Sequence, residues 1–557
     1  MSETVATALL KALKDRGADR VFGIPGDFVL PFFRAISETD ILPLHTLSHE
    51  PSVGYAADAA SRIGSSLGVA AVTYGAGALN MVNAVAQAYA EKSPLVVISG
   101  APGAQEGVLG LGLHHQVKSL NSQFEVFREL TCAQCILDDP ATAHQEIARV
   151  LDTAISLSRP VYIEFPRDLV DMPCESVPPM HLPPPDLDSA QACAREIIGK
   201  LRAAASPAIL VGVEARRYDL EGRIAELCRT LCIPVATSFM GRGLFAAKEL
   251  PLLGTYLGSA GDPEVAETVE GADCLLMLGV IVCDTNFGVS GREIDMRASI
   301  RALDRTVVFA HHIYPDVTLE ALIDALTEIA EPIGAARSAS GASYVVGLPD
   351  DATPLAPSHI AIGINDLFET HGPMPIAADV GDCLFISLEV TDTELVAPGY
   401  YGSMGTGVPA GLAINAVTGR RPIVLVGDGA FQMTGWELGN CQRYGWSPIV
   451  IVLNNQGWGM LRSFAAADAY TDLADFHYAD LAQSLGGKGE RVETCSELAE
   501  ALKKAVEEED GFLLIEAMLP RGSTSDAMQR FTQAIRRISA LQNELRRCLS
   551  RPRRAVL

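Results

Sequence analysis

Short apolar runs recur along the chain, each separated from the next by a stretch with helical spacing. VFGIP (21–25), LPLHTL (42–47), GVAAVTY (68–74), PLVVISG (94–100) and PVYIEF (160–165) punctuate the first third. PAILVG (207–212), IPVATS (233–238), CLLMLG (274–279) and TVVFA (306–310) follow in the middle. IAADV (376–380), PIVLVG (422–427), PIVIVLN (448–454) and FLLIEAM (512–518) complete the set. Runs apolar on both faces and alternating with helices predict strands of parallel sheets. Two stretches break the rhythm: ESVPPMHLPPPDLD (175–188), and a segment rich in Ala, Ser, Gly and Pro over 332–357. Both read as extended linkers. The pattern therefore predicts three α/β domains, near 1–174, 189–331 and 358–545, each a mostly parallel sheet flanked by helices.

Composition agrees and narrows the partners. The 557 residues exceed one ordinary domain, and 48% hydrophobic with 20% charged residues is globular. The formal net charge of −25 repels polyanions, so neither nucleic acid nor anionic lipid is an expected partner. Residues 1–20 intersperse apolar positions with Glu3, Lys11, Lys14, Asp15 and Arg16, which predicts an amphipathic helix and not a signal peptide. The charge-free stretch 63–90 carries too many glycines and amides for a membrane helix. The twelve cysteines, including the lone pair Cys132 and Cys135, complete no metal-ligand set and read as reduced thiols of a cytoplasmic protein. A basic tail follows Leu541.

The strongest chemistry lies at 422–460. One strand ends at Gly427-Asp428-Gly429, and twenty-four residues later another delivers Asn454-Asn455. That interval fits one crossover helix and one strand, so adjacent parallel strands would bring Asp428 and Asn455 out side by side. Open α/β sheets bind ligands at that carboxyl edge. Gly427 and Gly429 permit close backbone approach, and the helix beginning near Ala430 favours phosphate. One carboxylate and one amide oxygen suit Mg²⁺, which takes its other ligands from phosphate and water. Between 423 and 461 the only basic residue is Arg443, which leaves most of the phosphate charge to the metal.

The GDG–x24–NN pattern resembles the cofactor motif of thiamine-diphosphate-dependent enzymes. The resemblance implies that Asp428, Asn455 and the Gly457 carbonyl hold Mg²⁺ against the cofactor diphosphate. It makes 1–174 the pyrimidine-binding, 189–331 the central and 358–545 the diphosphate-binding domain. It also implies that Glu50, in LPLHTLSHEPSVGYAADAASR, serves the aminopyrimidine of the cofactor held by a neighbouring subunit. Met404, in Gly402-Ser403-Met404-Gly405, is the implied wedge that bends the cofactor, and the Gly402 carbonyl accepts from its amine. Asp27 in FGIPGDF and His114-His115 in LGLHHQ, with Glu50, resemble the pyruvate and indolepyruvate decarboxylase branch, where these residues manage protons. His311-His312 lies in the middle segment and reads as structural.

One departure narrows the substrate. The branch carries a second glutamate where this chain has Leu461. The nearest resemblance, over nearly all of 1–545, is to bacterial phenylpyruvate decarboxylases, which share that leucine. An apolar pocket follows, with Trp458, Leu461, Phe464 and Phe531 as lining candidates. Asp284 is the candidate to compensate for the missing carboxylate. The implied activity is non-oxidative decarboxylation of phenylpyruvate or indole-3-pyruvate to aldehyde and CO₂, by a homodimer at minimum and a homotetramer by expectation. Two rivals are a carboligase of the acetohydroxyacid-synthase type, and a silent scaffold that would have lost Glu50, Asp428 or Asn455.

Overall fold

A computed structural model describes residues 3–64, 67–104, 106, 111–246, 248, 250, 252–284, 294–334, 344–464, 469–508 and 510–549, with side chains to residue 537. Among the described residues nineteen strands form three sheets. The first contains β1 (Val21–Gly23), β2 (Leu44–Thr46), β3 (Gly68–Val72), β4 (Leu95–Ala101), β5 (Ala133–Ile136) and β6 (Val161–Pro166). Its order is β2-β1-β3-β4-β6-β5, parallel throughout. The third has the same plan, β15-β14-β16-β17-β19-β18, from β14 (Ile376–Ala378), β15 (Leu395–Val396), β16 (Ile423–Gly427), β17 (Ile449–Asn454), β18 (Lys488–Val492) and β19 (Leu513–Met518).

The middle sheet is also mostly parallel, with an antiparallel pairing at one edge. It runs β13-β12-β11-β10-β7-β8-β9, built from β7 (Pro207–Val211), β8 (Val235–Ser238), β9 (Leu252–Tyr256), β10 (Cys274–Leu278), β11 (Ser299–Leu303), β12 (Thr306–Val308) and β13 (Ile313–Tyr314). The apolar run at 306–310 is not a crossover strand but the return arm of a hairpin, antiparallel to β11. Asp304 and Arg305 both take left-handed backbone (φ 53° and 56°), the two-residue turn whose twist suits a hairpin. Asp-Arg is an uncommon pair for that turn, so the sequence carries no glycine to announce it.

The outer two domains share one core. Helix Glu50–Ile63 and helix Gly407–Thr418 pack face to face in a hydrophobic cluster that joins Val53, Ala56, Ala57 and Ala60 to Val408, Leu412 and Ala413. Their small side chains let two buried helices approach closely. Charged groups tie in the third domain: Lys92 pairs with Glu214 and Asp304, and the buried Arg217 donates to the Lys92 carbonyl at 2.7 Å. His312 pairs with Glu196 (2.9 Å) and stacks on Phe309 in the middle domain. No helix among the described residues is long and apolar enough to cross a membrane. The tail from residue 550 lies outside the described residues.

Candidate active site

Strands β16 and β17 are adjacent and parallel, and Gly427 faces Leu453 in their register. The chain therefore delivers Asp428 and Asn455 to one carboxyl edge, as the spacing predicts. Asp428 is the first residue of the helix Asp428–Thr434 and is 3% exposed. Its Oδ1 accepts from Gly429 N–H (2.8 Å) and its Oδ2 from Gly457 N–H (3.0 Å). Burial raises its pKa to about 6, and these two backbone donors only partly offset that. The charge of Arg462 lowers it as well, and burial still prevails.

The two asparagines divide the work. Asn454 is structural: its amide donates to Glu516 (2.8 Å) and its Oδ1 accepts from Gln456 N–H (3.2 Å). Asn455 Oδ1 is buried with no hydrogen-bond partner, although an unpaired buried oxygen is costly. Glycines shape the surroundings. A Cβ on Gly429 would stand 2.2 Å from the Trp458 ring, and one on Gly457 2.5 Å from the Thr471 carbonyl. At Gly427 a Cβ would meet open space. An orphaned hard oxygen, a raised carboxylate and an open glycine make a donor set that fits a divalent cation holding a diphosphate. The Gly457 carbonyl already accepts from Gly459 N–H at 2.8 Å, which leaves it one lone pair.

The charge expectation needs one correction. Arg462, just beyond the 423–461 window, folds back under the loop. Its guanidinium is almost fully buried and donates to the carbonyls of Asn455 (3.3 Å) and Gln456 (3.0 Å), and it pairs with Asp472. Sequence reading missed it because the contact is made across a turn in which Gln456 is left-handed (φ 55°). Arg443, the basic residue within the window, instead points at the N-terminal domain, donating to Thr46 Oγ1 at 2.6 Å.

The Gly402 turn is held from two sides. Glu91, fully buried and paired with Arg62, accepts from the N–H groups of Tyr400 and Tyr401, both at 2.8 Å. Asp379 accepts from Gly405 (3.2 Å) and Gly407 (2.8 Å). Gly402 and Gly405 are left-handed (φ 73° and 85°), and between them Met404 is 37% exposed, not core filler. Neither Glu91 nor Asp379 is conspicuous in the sequence, since both act through backbone.

In the N-terminal domain, Asp27, His114 and His115 converge, their ligating atoms all within 4.8 Å of one another. His114 Nε2 lies 2.5 Å from Asp27 Oδ2, and its ring stacks on Phe28 at 4.7 Å. Burial pushes the Asp27 carboxyl up, but the His114 hydrogen bond and charge outweigh it and leave the pKa lowered. His115 is left-handed (φ 66°) and presses on Gly75, where a Cβ would stand 2.1 Å from the His115 carbonyl oxygen. Beneath Gly75, Gln123 accepts its N–H at 2.6 Å and donates to Ser99 (3.0 Å) and Glu164 (3.2 Å).

Glu50 opens its helix, half-buried, and accepts from Asn80 Nδ2 at 2.8 Å. Leu461 and Phe464 expose apolar surface on the helix Gly459–Phe464 that follows the Asn455–Gly457 turn, and Trp458 leads into it. Phe531 sits in the core against Phe385, at 5.1 Å between ring centres. Asp284 is exposed beyond β10 in the middle domain. The chain thus gathers the residues into an Asp428–Asn455–Gly457 group and an Asp27–His114–His115 group.

Three family profiles match the chain. The thiamine pyrophosphate enzyme N-terminal TPP binding domain covers residues 3–124, the central domain 194–325 and the C-terminal TPP binding domain 379–517. The indole-3-pyruvate decarboxylase of Azospirillum brasilense is 55% identical over 97% of this chain and 100% of its own length. The alpha-keto-acid decarboxylases of Mycolicibacterium paratuberculosis and Mycobacterium ulcerans are 31% and 30% identical, over 93% of this chain and 94% of theirs. The chain belongs to the family of thiamine-diphosphate-dependent 2-oxo acid decarboxylases.

Proposed function

We propose that this decarboxylase acts on an aromatic 2-oxo acid, indole-3-pyruvate or phenylpyruvate, with one Mg²⁺ per cofactor, in a site shared by two subunits of a cytoplasmic homotetramer. The observation that carries the metal is the orphaned Asn455 Oδ1 on the same buried edge as Asp428. Asp428, Asn455 and the Gly457 carbonyl hold the cation, and Gly427, Gly429 and Ala430 give the diphosphate room at a helix start. Bound thiamine diphosphate supplies the electron sink that lets CO₂ leave. Met404, exposed on a turn pinned by Glu91 and Asp379, is the wedge that sets the cofactor's shape, with the Gly402 carbonyl as acceptor.

Glu50 holds a proton at the aminopyrimidine of the partner subunit's cofactor. The partner arrangement is what the resemblance to the family implies; within its own chain Glu50 accepts from Asn80 Nδ2. Asp27, His114 and His115 deliver the proton that replaces the lost carboxylate. Histidine suits this step because it exchanges protons near neutral pH. Leu461, Phe464 and Trp458 present apolar surface to the substrate side chain, Phe531 backs the pocket, and Asp284 from the middle domain replaces the missing glutamate. The 55% identity to an indole-3-pyruvate decarboxylase supports the aromatic class, and the free thiols of the described cysteines accord with the cytoplasm.

Purified protein with thiamine diphosphate and Mg²⁺ is to be offered pyruvate, phenylpyruvate, indole-3-pyruvate and benzoylformate, with aldehyde formation coupled to an alcohol dehydrogenase. Turnover of phenylpyruvate or indole-3-pyruvate well above pyruvate is the expected result. A preference for pyruvate would overturn the aromatic assignment.

A further inference from the structure

The segment that leaves the Asp428 turn also grips the N-terminal domain of its own chain. After Asp428 the chain runs through a 3₁₀ turn, Gly435–Asn440, into the helix Cys441–Tyr444. One face of this segment meets β2, the edge strand of the first sheet, and the turn behind it. The Tyr444 hydroxyl accepts from Thr46 N–H at 2.7 Å, and Arg443 donates to Thr46 Oγ1 at 2.6 Å. The Glu437 carboxylate accepts from Ser48 N–H, at 2.9 Å through Oε2 and 3.2 Å through Oε1. Asn440 Nδ2 donates to Ser48 Oγ (3.2 Å) and to Glu437 (2.9 Å).

Glu437 is only 1% exposed, and burial raises its pKa. A carboxylate in such a place is costly, and ordinary domain packing is met as well by an apolar side chain. Its bonds go to the backbone two residues before Glu50. That position matters because the helix Glu50–Ile63 has no side-chain cap of its own: His49 occupies the N-cap without capping anything. Helix starts leave N–H groups to be satisfied from elsewhere, and here the C-terminal domain fixes the entry into the helix.

We propose that Glu437 is a positioning residue for Glu50, holding the Ser48–His49 turn so that the Glu50 carboxylate stands at its working place. The proposal rests on the role given to Glu50 above. Because the clamp begins at the metal ligand Asp428, the same segment that shapes one chain's diphosphate edge would set the acid it lends to the partner's cofactor.

Glu437→Ala and Glu437→Gln in the full-length holoenzyme test this, with amide hydrogen exchange over residues 46–52, steady-state kinetics and the pH dependence of the bound cofactor's near-ultraviolet circular dichroism. Glu437→Ala is expected to speed exchange at Ser48 and to lower kcat by about 10- to 100-fold, with KM moving less than about twofold. Its cofactor dichroism should titrate at a shifted pH. Glu437→Gln keeps an acceptor for Ser48 N–H and should restore most of both signals. Unchanged kcat and dichroism in Glu437→Ala, with only a lower melting temperature, would reduce Glu437 to interface packing and overturn the proposal. Unchanged exchange would do the same. Should Glu50→Gln itself keep full turnover, the fault lies in the role of Glu50, and the exchange measurement still reports on the clamp.

Discussion

The two outer domains solve the same geometric problem with opposite electrostatics. In each, neighbouring parallel strands bring two segments out at a carboxyl edge: β16 and β17 deliver Asp428 and Asn455, while β1 and β3 deliver Asp27 and the Thr73–Gly75 turn. Asp428 is 3% exposed and burial raises its pKa to about 6. Asp27, with a side chain 41% exposed, lies 2.5 Å from His114 Nε2, and that contact leaves its pKa lowered. On the proposed function the buried carboxylate is the metal's ligand. On the same proposal the exposed Asp–His pair passes protons, since solvent can reach it.

Mutations separate the two edges most sharply. Asp428→Ala should lower turnover by about a thousandfold or more and abolish saturable Mg²⁺ binding, because the metal loses its anionic ligand; isothermal titration of cofactor and metal checks it. Asp27→Asn should cost about a hundredfold in kcat and leave cofactor and Mg²⁺ binding intact. A loss of metal binding in Asp27→Asn would erase the distinction.

Acidity separates them next. A carboxylate must be ionised to ligate, so the Mg²⁺ concentration for half-saturation should rise about tenfold as pH falls from 7 to 5, through the Asp428 value near 6. The lowered Asp27 contributes nothing in that window. A flat Mg²⁺ profile would show that Asp428 is not the ligand that titrates.

The smallest effect lies under the His115 turn. Burial pushes Glu164 up to about 7, against donation from Tyr162 (2.8 Å) and Gln123 (3.2 Å). The folded protein binds this proton more tightly than the unfolded chain, so stability falls as pH rises from about 4.5 to about 7, by about 3 kcal/mol at most. Glu164→Gln should flatten that slope in denaturant unfolding at pH 5 and pH 8. An unaltered slope would move the titration elsewhere.

Much of this was legible in the sequence because the metal edge is local. Gly427, Asp428, Asn454 and Asn455 sit on two consecutive strands, so spacing alone places them together. The proton edge draws on residues 27, 75, 115 and 164, and only the fold shows that Gly75 is glycine because the His115 carbonyl lies against it. Strands β5, β9, β15 and β18 escaped notice as sheet edges, where one side needs no apolar partner. Glu91, Asp379, Glu437 and Arg462 were invisible for another reason. Each acts through backbone N–H or carbonyl groups, far away in sequence for Glu91 and Glu437 and across a local turn for Arg462, and no residue pattern marks such contacts.

The central claim is that one active site takes its metal edge from one chain and Glu50 from another. Mixing Glu50→Gln with Asp428→Ala chains, each nearly inactive alone, tests it directly after subunit exchange. If the site is shared, half the dimers are hybrids, each with one intact site and one doubly damaged, so activity should recover to about a quarter of the wild-type value. No recovery beyond the sum of the two variants, with hybrids present by mass spectrometry, would place Glu50 and Asp428 in the same chain's site and contradict the account.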